Sequence, residues 1–159
     1  VDNGTTYTAQ STMKEPLVLD SLQSLRDEYE TDKFRIQAWF ADNETPDEYF
    51  IIKYARNGIM HDTLTRWTEY TDVLTNDMYL ENVPLLYMLE GNENDVLTVY
   101  TFSASLEYYD FLRIARRNLE EPIPFFPPPG GTITGNISGN AVGFFQASSV
   151  RQKDVVLKR

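Results

Sequence analysis

Phe34, Ile36, Ala38 and Phe40 recur at every second position of KFRIQAWFAD, residues 33–42, with Arg35, Gln37 and Trp39 between them. A period of two marks a strand with one buried face, because successive side chains of an extended chain point to opposite sides. Such a strand must pair along its edges and lay its apolar face on a second layer. The rest of the chain is constrained by the need to supply both.

Most of it reads as strand. A turn cluster at 42–47 leads into EYFIIKYAR, residues 48–56, predicted to pair antiparallel with 33–42. Asn57-Gly58 is a type I′ turn signal, so a third strand should begin near Ile59. DTLTRWTEYTDVL, residues 62–74, reads as an irregular strand, followed by a turn at Thr75-Asn76-Asp77. VPLLYML, residues 83–89, is a short apolar run bounded by Pro84 and Gly91, and VLTVYTFSAS, residues 96–105, is a strand. At the ends, TTYTAQSTM (5–13) reads as the second half of a hairpin and KEPLVLDSLQSL (14–25) as an extended connector. Residues 141–150 and 154–158 return to strand.

The period changes once. Residues 106–118, LEYYDFLRIARRN, follow the helical repeat, with Ser105 as N-cap, Glu107 early and Arg113, Arg116 and Arg117 late, in accord with the helix dipole. EEPIPFFPPPGG, residues 120–131, holds too many prolines for a helix or central strand. The predicted fold is a mainly-β, antiparallel sandwich-like domain with one helix at about 106–118 and a long Pro/Gly-rich loop. Tyr109 and Leu112 should seat that helix on the sheet containing 96–105 and 141–150, with Gly143 removing a side chain where the helix approaches.

The charge excludes some partners. Twenty-four acidic residues against 14 basic ones give a net charge of −10, which repels phosphate backbones, so nucleic acid is not an expected partner. There is no cysteine, which excludes disulfides, thiol catalysis and thiolate metal sites. No stretch approaches the length of a membrane-spanning helix.

Chemistry-bearing patterns are sparse. The single histidine, His61, has no nucleophile motif to serve and reads as a surface residue. The carboxylate groups Asp27/Glu28/Glu30, Asp47/Glu48 and Glu120/Glu121 are those on which a glycan or peptide hydrolase would draw, provided two are held about 5–9 Å apart in a cleft. Asp42, Asn43, Glu44, Asp47 and Glu48, and separately Asn92 to Asp95, offer oxygens without EF-hand spacing, so no metal and no cofactor is assigned. Trp39 and Trp67 are the candidate ligand-binding aromatics.

The C-terminal third carries a distinctive order: Tyr108-Tyr109-Asp110-Phe111-Leu112, a Pro loop from Pro122 to Pro129, then Asn136-Ile137-Ser138-Gly139-Asn140-Ala141-Val142-Gly143-Phe144-Phe145 and a closing strand. With Gly4-Thr5-Thr6-Tyr7-Thr8-Ala9, this resembles the Bacteroidetes family called domain of unknown function 4249, departing from it at Asn140, where a second glycine is common. The resemblance implies a lipid-anchored outer-membrane protein encoded beside SusC-like TonB-dependent receptors. On that basis 1–13 is the last strand of an Ig-like N-terminal domain bearing the anchor, 14–25 a connector and 26–159 the β-rich C-terminal domain. With it goes the expectation of a non-catalytic accessory role in capturing or transferring a nutrient, while the aromatic candidates Trp39 and Trp67 suggest a glycan or peptide as ligand; a hydrolase and a structural spacer are the alternatives. Asn136, Gly139 and Gly143 read as a structural turn. Asp20-Ser21-Leu22 and Asp62-Thr63-Leu64 resemble the O-glycosylation signal of exported proteins of that phylum, which marks Ser21 and Thr63.

Overall fold

The computed structural model describes residues 4, 6–30, 32–119, 134–139 and 141–158. Its strands are β1 (Ser21–Arg26), β2 (Lys33–Ala41), β3 (Tyr49–Arg56), β4 (Ile59–Met60), β5 (Thr68–Thr71), β6 (Tyr79–Glu90), β7 (Val96–Ala104) and β8 (Val150–Val156); α1 spans Leu106–Leu119. One sheet has the order β1-β2-β6; the other runs β4-β3-β7-β8, with β5 also on β3. All pairings are antiparallel. Among the described residues the fold is therefore mainly β with one α-helix, as the patterning requires.

The alternation of β2 sets the inner layer. Phe34, Ile36, Ala38 and Phe40 are buried and meet Phe50, Ile52 and Tyr54 of β3, Leu97 and Val99 of β7, and Leu85, Leu86 and Leu89 of β6 in one core. β3 is apolar on both faces because it is covered twice. Its other face presents Ile51, which packs with Ala104 and Leu112 under α1, flanked by Tyr49, Trp67, Tyr108 and Phe111. Sheet, sheet and helix thus form three layers, and the continuous run Phe50-Ile51-Ile52 is the sequence trace of the middle one. Ser105 caps α1, its hydroxyl accepting the Tyr108 amide at 3.2 Å.

Several expectations need correction. The strands at 33–42 and 48–56 do not pair; β2 and β3 lie in different sheets, because the 42–48 connection crosses from one layer to the other. The expected connector 14–25 contains a real strand, β1, zipped along the whole of Ser21–Arg26 to β2. Leu17 and Leu19 before it are buried. β6 runs straight through Pro84, which an edge strand tolerates because one side of its backbone needs no partner. Asn82 and Met88, both at positive φ, accompany the register shifts of its pairing with β2. The irregular segment 62–74 resolves into a short 3-10 turn at Leu64–Arg66 and β5.

The C-terminal stretch differs most. Residues 141–149 are not strand, and β8 begins only at Val150. Side chains hold this stretch instead. The Asn136 amide donates to the Gln10 and Phe145 carbonyls at 2.9 and 2.8 Å and accepts the Phe145 amide at 2.8 Å, while Ser11 accepts the Ala147 amide at 3.0 Å. Gly143 is not where the helix approaches: a Cβ there would meet only Ile137, at 3.5 Å, and its φ of +147° is what calls for glycine. The close approach is at Gly135, where a Cβ would lie 1.7 Å from the Gly143 carbonyl oxygen. Phe144, rather than a strand, reaches α1, with its ring 5.2 Å from Tyr108 and 5.4 Å from Phe111. Among the described residues of 5–13, pairing amounts to one isolated bridge between Ala9 and Ile137. The Pro/Gly-rich run 120–131 and Asn140 lie outside the described residues.

Candidate functional site

Three carboxylates converge at one end of the sandwich. Asp42 follows β2, Glu48 precedes β3 and Asp72 follows β5. The pairing of Tyr49 with Thr71 at the start of β3 and the end of β5 puts Glu48 and Asp72 side by side. The crossover brings Asp42 in from the other sheet. All three are buried, and a ligand oxygen from each lies within 4.8 Å of the others. The loops are tied by backbone bonds, Asp42 N–H to Met78 at 2.9 Å and Asp77 N–H to Asn43 at 3.2 Å. Asp72 Oδ1 accepts the Glu48 amide at 2.7 Å, and Glu48 Oε2 accepts the Asn43 side-chain amide at 2.7 Å. Both Asp42 oxygens and Asp72 Oδ2 are buried with no hydrogen-bond partner.

Burial and mutual repulsion act on this trio together. Asp42 is pushed up to about 6, first by desolvation, then by the charges of Asp72 and Asp77, while the nearby Asn43 backbone amide opposes the rise without reaching hydrogen-bond geometry. Glu48 is raised chiefly by burial; its bond from Asn43 and the charge of Lys14 oppose this, and Asp72 and Asp42 add to it. Because the folded chain holds the Asp42 proton more tightly than the unfolded one, this group favours folding most below about pH 4 and loses that contribution as pH rises through about 6. In chelator, wild-type stability relative to Asp42→Asn should therefore fall by roughly 2–3 kcal/mol between pH 4 and 7. Urea midpoints across that range measure it, and parallel profiles for the two proteins would contradict it.

A groove lies beside the trio. One depression of about 470 Å³ is lined by Gln10, Ser11, Lys14, Glu107, Asn136 and Phe144 among others. A second, of about 310 Å³, adjoins it through the shared Lys14, Ser105 and Glu107, and reaches Tyr49 and Glu48. Lys14 and Glu107 are exposed, so the groove offers a cation, an anion, amides and hydroxyls beside the aromatic rings of Tyr49, Phe50 and Phe144. Asp42 opens elsewhere, into a depression of about 250 Å³ edged by Glu15, Pro16 and Arg151.

The residues singled out in the sequence are dispersed. Trp39 is half-buried on β2, whereas Trp67 belongs to the helix-side cluster of the other sheet, with Lys53 Nζ 3.5 Å from its ring centre; they form no common platform. His61 stacks on Tyr54 at 4.8 Å, and burial with Arg56 and Arg66 nearby lowers its pKa. Ser21 and Thr63 are both exposed. Tyr109 is half-buried against Tyr49, 5.0 Å between rings, and Leu112 is buried. Gly139 turns the chain at φ +75° beside the Tyr7 ring. In the Asn92–Asp95 loop the Asp95 carboxylate is already engaged, accepting from the Asn92 backbone amide and from the Asn57 side chain. Asp72 was missed because nothing in the sequence links it to residues 24 positions away; only the β3–β5 register does.

Among known proteins, the sequence pattern of a family described as Domain of unknown function (DUF4249) matches residues 1–154. No curated protein and no solved structure matches. Among the described residues, no helix is long and apolar enough to cross a membrane.

Proposed function

The chain belongs to the Domain of unknown function (DUF4249) family, and from that premise we propose that it is a non-catalytic binding domain of an exported, lipid-anchored surface protein that captures or hands over a ligand at a TonB-dependent receptor. The groove through Lys14, Ser105 and Glu107 is the observation that carries the binding half. Its polar lining with Tyr49 and Phe144 alongside suits a glycan or peptide, which offers hydroxyls or amides together with an apolar face. The receptor and the anchor rest on the Bacteroidetes context of the resemblance.

The hydrolase alternative has one feature in its favour, a carboxyl raised to about 6 beside two others. Glycosidase chemistry, however, needs two carboxyls facing one bound sugar. Here Asp42 and Glu48 open into separate depressions and Asp72 is fully enclosed. Lys14→Ala and Glu107→Ala alter exposed side chains and should each change stability by less than about 1 kcal/mol, yet weaken binding of any ligand drawn from glycan and peptide panels by about tenfold, near 1.4 kcal/mol. Binding unaffected by both substitutions removes the groove from the account, and ligand recovered cleaved points to the hydrolase.

A further inference from the structure

We propose that Asp42, Glu48 and Asp72 form a calcium site that ties the two sheets together at this end of the sandwich. The claim goes beyond ligand capture and does not depend on it. Three buried carboxylates gathered within 4.8 Å are costly unless something positive joins them. Among the described residues, no ion pair reaches any of the three; the charge of Lys14 acts on Glu48 only from beyond ion-pair distance. Three oxygens remain unpartnered, both of Asp42 and Oδ2 of Asp72, in side chains more than nine-tenths buried. Asp72 is locked by the Glu48 amide on its other oxygen, and Glu48 by Asn43, so the trio is held in place by its own loops.

The donor set selects the ion. With carboxylate oxygens alone, and the single histidine stacked on Tyr54 instead, the site suits a hard cation rather than zinc or copper. Oxygens around calcium sit at about 2.3–2.6 Å, so a pair can be separated by up to about twice that, which accommodates the observed spacing. Asp42 can offer two oxygens, and Glu48 and Asp72 one each beside the oxygen that accepts a hydrogen bond, with water completing a sphere of about six to eight. Magnesium sheds its water reluctantly and is usually held by only one or two carboxylates, so three converging ones favour calcium. Since Asp42 directly follows β2 while Glu48 precedes β3 and Asp72 follows β5, the bound ion would join the two sheets where the crossover leaves them connected by loop.

The test uses the 159-residue chain stripped with EDTA and then titrated with CaCl₂ or MgCl₂ at pH 7.5, with the thermal midpoint as readout. Saturating calcium is expected to raise Tm by about 5–10 °C, as a ligand at about a hundredfold its Kd does for a domain of this size. Magnesium should give less than about a third of that rise at equal concentration. Asp42→Asn and Asp72→Asn keep the side-chain shape and relieve repulsion, so both should fold in EDTA and lose the calcium response; if either fails to fold, Glu48→Gln takes its place. Binding of terbium, followed by tyrosine-sensitised luminescence and displaced by calcium, gives a readout independent of stability. No calcium-dependent rise, or an equal rise in the Asn variants, overturns the proposal, and an equal effect of magnesium overturns the choice of ion.

Discussion

Replacing Leu112 by alanine is expected to lower the unfolding free energy by about 2–5 kcal/mol, the range for large-to-small changes in a packed core. Leu112 is only 5% exposed and is the one α1 side chain that is fully buried, set against Ile51 and Ala104. A 14-residue helix is marginal in water by itself, so α1 owes its stability to this seat. The loss should also reach the sheet, because Ile51 lies on the same strand as the core residues Phe50 and Ile52. Urea denaturation measures it: the midpoint should fall while the slope stays constant. A neutral Leu112→Ala would mean that the helix contributes nothing as a third layer.

Arg116→Met should cost about 2–4 kcal/mol, below the range for breaking a fully buried ion pair because the guanidinium keeps some contact with solvent. Arg116 binds Glu69 of β5 at 2.6 Å through Nη1, and through Nη2 donates to the Leu64 carbonyl at 3.0 Å and to that of Trp67. One side chain therefore pins the end of α1 to the 3-10 turn and to β5. Its removal leaves the Glu69 carboxylate, with a side chain 13% exposed, without its cation. Arg116→Lys should restore little, because a point charge cannot reproduce the fork that reaches a carboxylate and two carbonyls together. Pairing Arg116→Met with Glu69→Leu should recover most of the loss, since the second change removes the stranded charge. Equal losses in the single and double variants would show that the ion pair is not what holds the helix end.

Local pattern carried the elements well and their assembly poorly. The alternation of 33–42 placed Phe34, Ile36, Ala38 and Phe40 inward, and all four are buried. Asn57-Gly58 marked a turn in which both residues take positive φ, and Ser105 caps the helix that its sequence announced. Each of these depends on neighbours within a few residues. The pairing of β2 with β3 was misjudged because a short polar loop suits a hairpin and a crossover between sheets equally well; only the long-range match of β2 to β1 and β6 decides. The segment 141–149 has the apolar content of a strand but is bound by Asn136 and Ser11 side chains, which no periodicity reveals. The carboxylate trio was half visible: Asp42 and Glu48 stood out as oxygen donors, whereas Asp72 joins them only through the register of β5 on β3.

Isolation of the protein from the detergent-solubilised membranes of its native host tests the central claim most directly. A ligand-capturing partner of a transporter should co-elute with a TonB-dependent receptor in near-stoichiometric amount, and the Lys14→Ala and Glu107→Ala variants should retain that receptor while losing the ligand. A protein that elutes without any such receptor, from membranes in which both are present, would contradict the account.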